Sequence, residues 1–158
     1  MPAATAVESH PAVVELAAEW DALADRLGAS PFMRPGWIEA WVEAFPAPGF
    51  KILAVRRGSE LAGVLPLVRG RGNVLAGPAN SHTPLGGALV DGPDAAVALA
   101  GALLRERPAR ADFRYTDPAD PVVAELGRRR RTIGRVMSEQ PYLDTTGSFV
   151  AYLAGLSR

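Results

Sequence analysis

The chain has no cysteine among its 158 residues, which excludes disulfides, thiolate catalysis and cysteine-based zinc sites. Histidine is nearly as scarce. His10 and His82 are the two present, too few for a histidine-built metal centre, so no metal is expected. Excess charge is also missing: 17 basic and 17 acidic residues cancel, which gives no general pull toward nucleic acid or an anionic membrane. No stretch approaches the ~20 apolar residues needed to span a bilayer. The N-terminus, MPAATAVESHP, has neither the basic start nor the apolar run of a signal peptide. Lysine is confined to Lys51, every other basic residue being arginine. Together with abundant Ala, Gly and Pro, this reads as a GC-rich bacterial genome, and the expectation is a cytoplasmic protein.

What is present is an ordinary globular composition, 48% hydrophobic and 22% charged. A chain of this length predicts one domain that buries roughly two-thirds of its unfolded surface. Residues 1–10 read as a loose extension, and Val13, Val14 and Leu16 as a short first strand. Trp20, Leu23, Ala24 and Leu27 then fall at helical spacing, with Gly28 placed to stop the helix. After Ser30 and Pro31, Pro35 opens a second helix whose buried stripe is expected to be Trp37, Ile38, Trp41, Val42 and Phe45.

Residues 50–55 and 61–68 read as two strands joined by a turn at Arg56, Arg57, Gly58 and Ser59. Pro66, which lacks a ladder donor, predicts an edge position or a bulge. Residues 74–76 and 88–90 are shorter strand candidates. Pro93 and Asp94 start a helix expected to reach Arg105 and to bury Val97, Ala100, Leu103 and Leu104. A strand is expected at 112–115, a helix at 121–131 and a strand at 133–137. A last helix comes after capping candidates at 145–148, its apolar face made by Phe149, Tyr152, Leu153 and Leu156. The order predicts a single-domain α/β (α+β) fold, a mostly antiparallel mixed sheet flanked by helices.

One block resembles a known family. Trp20, Leu23, Pro31, Phe32, Pro35, Trp37, Trp41 and Phe45, then Leu61, Gly63, Leu65, Pro66 and Leu67 in the second hairpin strand, form a pattern similar to the N-terminal half of GNAT-superfamily proteins of the cellulose-biosynthesis (CelD-like) type, distant relatives of the Fem peptidyltransferases. The tail, with Pro141, Tyr142, Leu143 and Asp144 and then Ser148 to Ser157, is similar to the segment linking the two halves of such proteins. The resemblance implies a GNAT-like lobe and an acyl-CoA-dependent N-acyltransferase that transfers an acyl group to a small-molecule or peptide amine. It implies acetyl-CoA or another acyl-CoA as co-substrate, held mainly by a second lobe, and a second lobe or a homodimer partner. The expected division is a loose leader at 1–12, the lobe at 13–144 and the start of a linker helix at 145–158. The alternative is a non-catalytic GNAT-like module used for partner binding or dimerisation.

No residue is assigned as catalytic. Phe32, Asn80 and His82 are candidates to line a substrate groove; His82 is a general-base candidate because its ordinary pKa lies near neutrality. Arg69, Gly70, Arg71 and Gly72 form a basic, Gly-rich turn that could cradle a CoA pyrophosphate, yet the residues after it look like a strand, so a hairpin turn is the simpler reading. Arg128 to Arg131 could meet a phosphate or an acidic partner, or simply end a helix in solvent. Trp37 and Trp41 share a helix face and read as packing residues rather than a stacking platform. Glu139 and Asp144 pair only by count.

Overall fold

The computed structural model describes residues 5–45, 48–136 and 147–156. Its organising element is a sheet of six strands, β1 (Thr5–His10), β2 (Lys51–Arg57), β3 (Glu60–Gly70), β4 (Val74–Ala76), β5 (Leu89–Val90) and β6 (Arg110–Asp112). The path runs β1-β2-β3-β4-β6, and β5 also pairs with β3. All pairings are antiparallel except that of β4 with β6. The helices are α1 (Ala17–Arg26), α2 (Pro35–Ala44), α3 (Pro93–Arg105), α4 (Pro121–Arg129) and α5 (Phe149–Leu156). This is the expected mixed α/β architecture.

Strand periodicity divides the core between the two sheet faces. Ile52, Ala54 and Val64 join Trp20, Leu23 and Ile38 beneath α1 and α2, whereas Leu53, Val55, Leu65 and Leu67 join Leu99, Leu103, Val122 and Leu126 beneath α3 and α4. Because both faces are covered, β2 and β3 read as near-continuous apolar runs rather than alternating ones. The β2–β3 register slips once: Val55 faces Gly63 and Arg56 faces Leu61, which leaves Ala62 as an extra residue. Its carbonyl accepts the Asp91 N–H at 2.8 Å.

Several expectations need correction. The supposed leader contains β1, an edge strand paired from Thr5↔Arg57 to His10↔Ile52, and Val13–Glu15 is a 3-10 turn rather than the first strand. Polar Glu8 and His10 hide the strand pattern, although Val7 packs on the core. Pro66 lies neither at the sheet edge nor at the bulge but in the central strand. Of the stripe expected for α3, Ala100 and Leu103 are buried, together with Ala95, Ala96, Leu99 and Ala102, whereas Val97 is 43% exposed and Leu104 half-buried. Phe45 lies past the end of α2, exposed, with its ring 5.4 Å from that of Trp41. The strand expected at 112–115 is β6, Arg110–Asp112. Residues 131–136 form no strand, and Met137 lies outside the described residues, as do Glu139 and Pro141 to Asp144.

Candidate functional site: a fork in the sheet

The far flank of β3 is shared by two partners. Gly63 and Val64 pair with β5, and Val68 to Gly70 pair with β4. Leu65, Pro66 and Leu67 therefore have no strand partner on that flank among the described residues, although all three pair with β2 on the other. A proline suits the middle of such an interval because it has no N–H to leave unmatched. Residues 77–88 leave β4 and return to β5 across this fork. Their return is tied to the segment after β6 by a parallel bridge, Gly86↔Thr116, in which the Gly86 N–H donates to the Tyr115 carbonyl at 2.7 Å.

An apolar slot lies at the fork. Val64 and Pro66 line it from the sheet, Trp20 and Ile38 from the helices, Phe32 and Met33 from the 3-10 turn Pro31–Met33, and Pro78, Leu85, Gly86, Gly87 and Leu89 from the crossing loop and its return. Its free volume is about 10 Å³, room for about one water molecule. The indole N–H of Trp20 donates to the Met33 carbonyl at 2.9 Å, which holds the 3-10 turn over the slot. Phe32 then packs edge-on against Trp37 at 4.9 Å.

A second, wider and more open cavity of about 200 Å³ adjoins the slot through Met33, Leu85 and Gly86 and is further lined by Ala88, Asp117, Ala119, Asp120 and Pro121. Asp120 is 7% exposed. Its Oδ1 accepts the Val122 and Val123 N–H groups at the start of α4, each at 2.9 Å, and its Oδ2 accepts the Ala88 N–H at 2.9 Å. Burial pushes this carboxyl above its ordinary value; the three backbone donors pull against that rise, and the neighbouring Asp117 carboxylate adds to it. Asp120 thus caps a helix and fastens the crossing loop at once.

The expected site residues separate in space. Phe32 lines the slot. Asn80 and His82 line neither cavity: the Asn80 side-chain oxygen accepts the His82 backbone N–H at 2.9 Å, and the exposed imidazole itself has no hydrogen bond among the described residues. Arg69 and Gly70 end β3, and Arg71 and Gly72 form the turn into β4. Arg69 is engaged by Glu106 at 3.0 Å and by the Asn73 side chain. Asp120 and the Leu85–Gly87 stretch were not anticipated. Asp120 before Pro121 is a readable helix-start signal; its bond to Ala88, across 32 positions, has no sequence signature.

Among the described residues no group of three metal-ligating side chains comes together, and no helix is long and apolar enough to cross a membrane. Neither a family model nor a curated protein matches the chain. Among solved structures, an aminoglycoside N-acetyltransferase in complex with CoA is similar to it, at 11% identity and a TM-score of 0.49 over 90% of this chain and 99% of that one. A likeness of that degree assigns neither fold family nor reaction.

Proposed function

We propose that the chain is the N-terminal, GNAT-like lobe of an acyl-CoA-dependent N-acyltransferase of the CelD-like type, acting in the bacterial cytoplasm, and that the fork at Pro66 receives the acyl thioester. The observation that carries this reading is the open flank of Leu65, Pro66 and Leu67 beside an apolar slot. Apolar walls suit an acyl group, and backbone polar groups at an interrupted ladder suit its carbonyl. In the reaction the acceptor amine forms a bond to the thioester carbon, the carbon–sulfur bond breaks, and the CoA thiolate takes up a proton. The resemblance of the Trp20 to Leu67 block supplies the family, and the acyl donor's larger part is assigned to a second lobe.

Isothermal titration with acetyl-CoA and with CoA tests this. Heat is expected with acetyl-CoA and less with CoA, which lacks the acyl group assigned to the fork, and Leu85→Trp, which fills space shared by the two cavities, should weaken acetyl-CoA binding about tenfold or more. No heat from acetyl-CoA at millimolar concentration, or equal heat from CoA, would remove the proposal.

A second reading, a non-catalytic module for partner binding, is favoured by one observation. The two charged residues lining the cavities are Asp117 and Asp120, and Asp120 already accepts three backbone N–H groups. Neither cavity carries an amine, imidazole or hydroxyl side chain for acid–base work. Turnover of added acetyl-CoA with a panel of amines, monitored as free thiol release, separates the two: turnover ends the second reading.

A further inference from the structure

The zero net charge hides a segregation. Residues 5–104 carry seven basic and ten acidic side chains, whereas residues 105–135 carry nine arginines against five carboxylates. In the first stretch every basic residue except Arg71 has a carboxylate partner. In the second, Arg105, Arg107, Arg130, Arg131 and Arg135 have none among the described residues, while Arg128 and Arg129 share Glu125. Part of this arginine set meets where α3 and α4 pack side by side. A Cβ on Gly101 of α3 would lie 3.6 Å from Arg105 Nη1 and 3.5 Å from Arg129 Nη1, so guanidinium groups from both helices converge on one point.

Helix C-termini attract arginines, which accounts for Arg128 and Arg129. It does not account for the segment beyond α4. Residues 127–136 are exposed throughout, and among their arginines stand Ile133 at 84% exposure and Val136 at 74%. Unpaired guanidiniums interleaved with bare aliphatic side chains fit a surface that is anionic outside and apolar just beneath. We propose that residues 128–136, with Arg105 beside them, dock on an anionic phospholipid bilayer as a peripheral contact, the arginines on phosphate groups and Ile133 and Val136 entering the acyl boundary. The chemistry separates this occupant from other polyanions. No aromatic ring stands among these arginines for a nucleic-acid base to stack on, and neither cavity is lined by this segment to seat an acidic peptide. The contact is independent of the reaction proposed at the fork, which lies among other residues.

Co-sedimentation with vesicles tests it. The full chain is expected to sediment with phosphatidylcholine vesicles carrying about one-third phosphatidylglycerol at low salt, and not with pure phosphatidylcholine. Arg130→Gln with Arg131→Gln should lower the partition coefficient about 30-fold, in line with the energy of two arginines near an anionic surface, and Ile133→Ser should lower it further. These side chains are exposed, so circular dichroism of each variant should match the parent. Failure to sediment with the anionic vesicles, equal sedimentation with neutral ones, or indifference to the double substitution overturns the proposal. Tighter binding to an oligonucleotide or to polyglutamate than to anionic vesicles at the same salt overturns it too.

Discussion

The Asp120 carboxylate accepts the Ala88 backbone N–H at 2.9 Å, and through it the loop that crosses the fork is fastened to the start of α4. One side chain therefore caps the helix and lines the wider cavity. Asp120→Ala removes the cap, worth about 1 kcal/mol, and leaves the buried Ala88 donor unmatched, worth about 1–3 kcal/mol more. The expected loss is about 3 kcal/mol in urea unfolding. A loss confined to the cap alone would mean that the Ala88 bond contributes nothing.

Gly87 is the glycine that lets this carboxylate approach. Its φ is +124°, and a Cβ there would stand 2.5 Å from Asp120 Oδ2 and 3.1 Å from Thr116 Cγ2. Gly87→Ala should thus cost about 2 kcal/mol or more, from backbone strain together with displacement of the carboxylate. In an Asp120→Ala background the same change should cost clearly less, because the nearest clash is gone. Strict additivity of the two in a double-mutant cycle would contradict this coupling.

Local signals were legible, and contacts between distant segments were not. The proline and glycine punctuation located α2 and α3 closely, and apolar runs around a Gly-containing turn located β2 and β3, because those signals act within a turn or two of the chain. Pro66 was read by its missing donor alone, which predicts an edge. The central strand accommodates it because β4 and β5 part company there, and that depends on how residues 77–88 cross the sheet. His82 drew attention through its chemistry, yet it sits on an outer turn. Asp120 drew none, although a single pairing puts it at the cavity. The edge strand β1 was hidden because its half-buried residues Glu8 and His10 are polar, and their charges are matched only by folding, against each other, Glu15 and Arg56.

The three tryptophans, alike in sequence, should respond differently to truncation. Trp20 is 1% exposed, and its N–H reaches the Met33 carbonyl. Trp37 and Trp41 are half-buried, and their indole nitrogens find no acceptor among the described residues. Trp20→Phe should cost about 2–3 kcal/mol from the lost bond and the space left behind. Trp37→Phe and Trp41→Phe remove donors that are already unmatched, so each is expected to cost less than about 1 kcal/mol. Chemical denaturation of the three variants ranks them, and equal losses would contradict this assignment.

Acid should loosen the junction between β1 and α1, which Arg56 holds together: its Nε donates to Glu8 Oε2 at 3.0 Å and its Nη2 to Glu19 Oε1 at 2.9 Å. Both carboxyls are held below their ordinary value of 4.5, chiefly by the Arg56 hydrogen bonds, with His10 adding to the effect at Glu8. A carboxyl whose pKa is lower in the folded state binds fewer protons there than when unfolded. Its stabilisation is therefore present above pH 4.5 and is lost as pH falls through the folded values. Glu8 and Glu19 are 39% and 44% exposed, so solvent screening limits the pair to about 1 kcal/mol in total. Urea midpoints measured across this acidic window should fall less steeply for Glu8→Gln with Glu19→Gln than for the parent, and added salt should narrow the difference. Parallel profiles would show that Arg56 does not couple folding to these two protons.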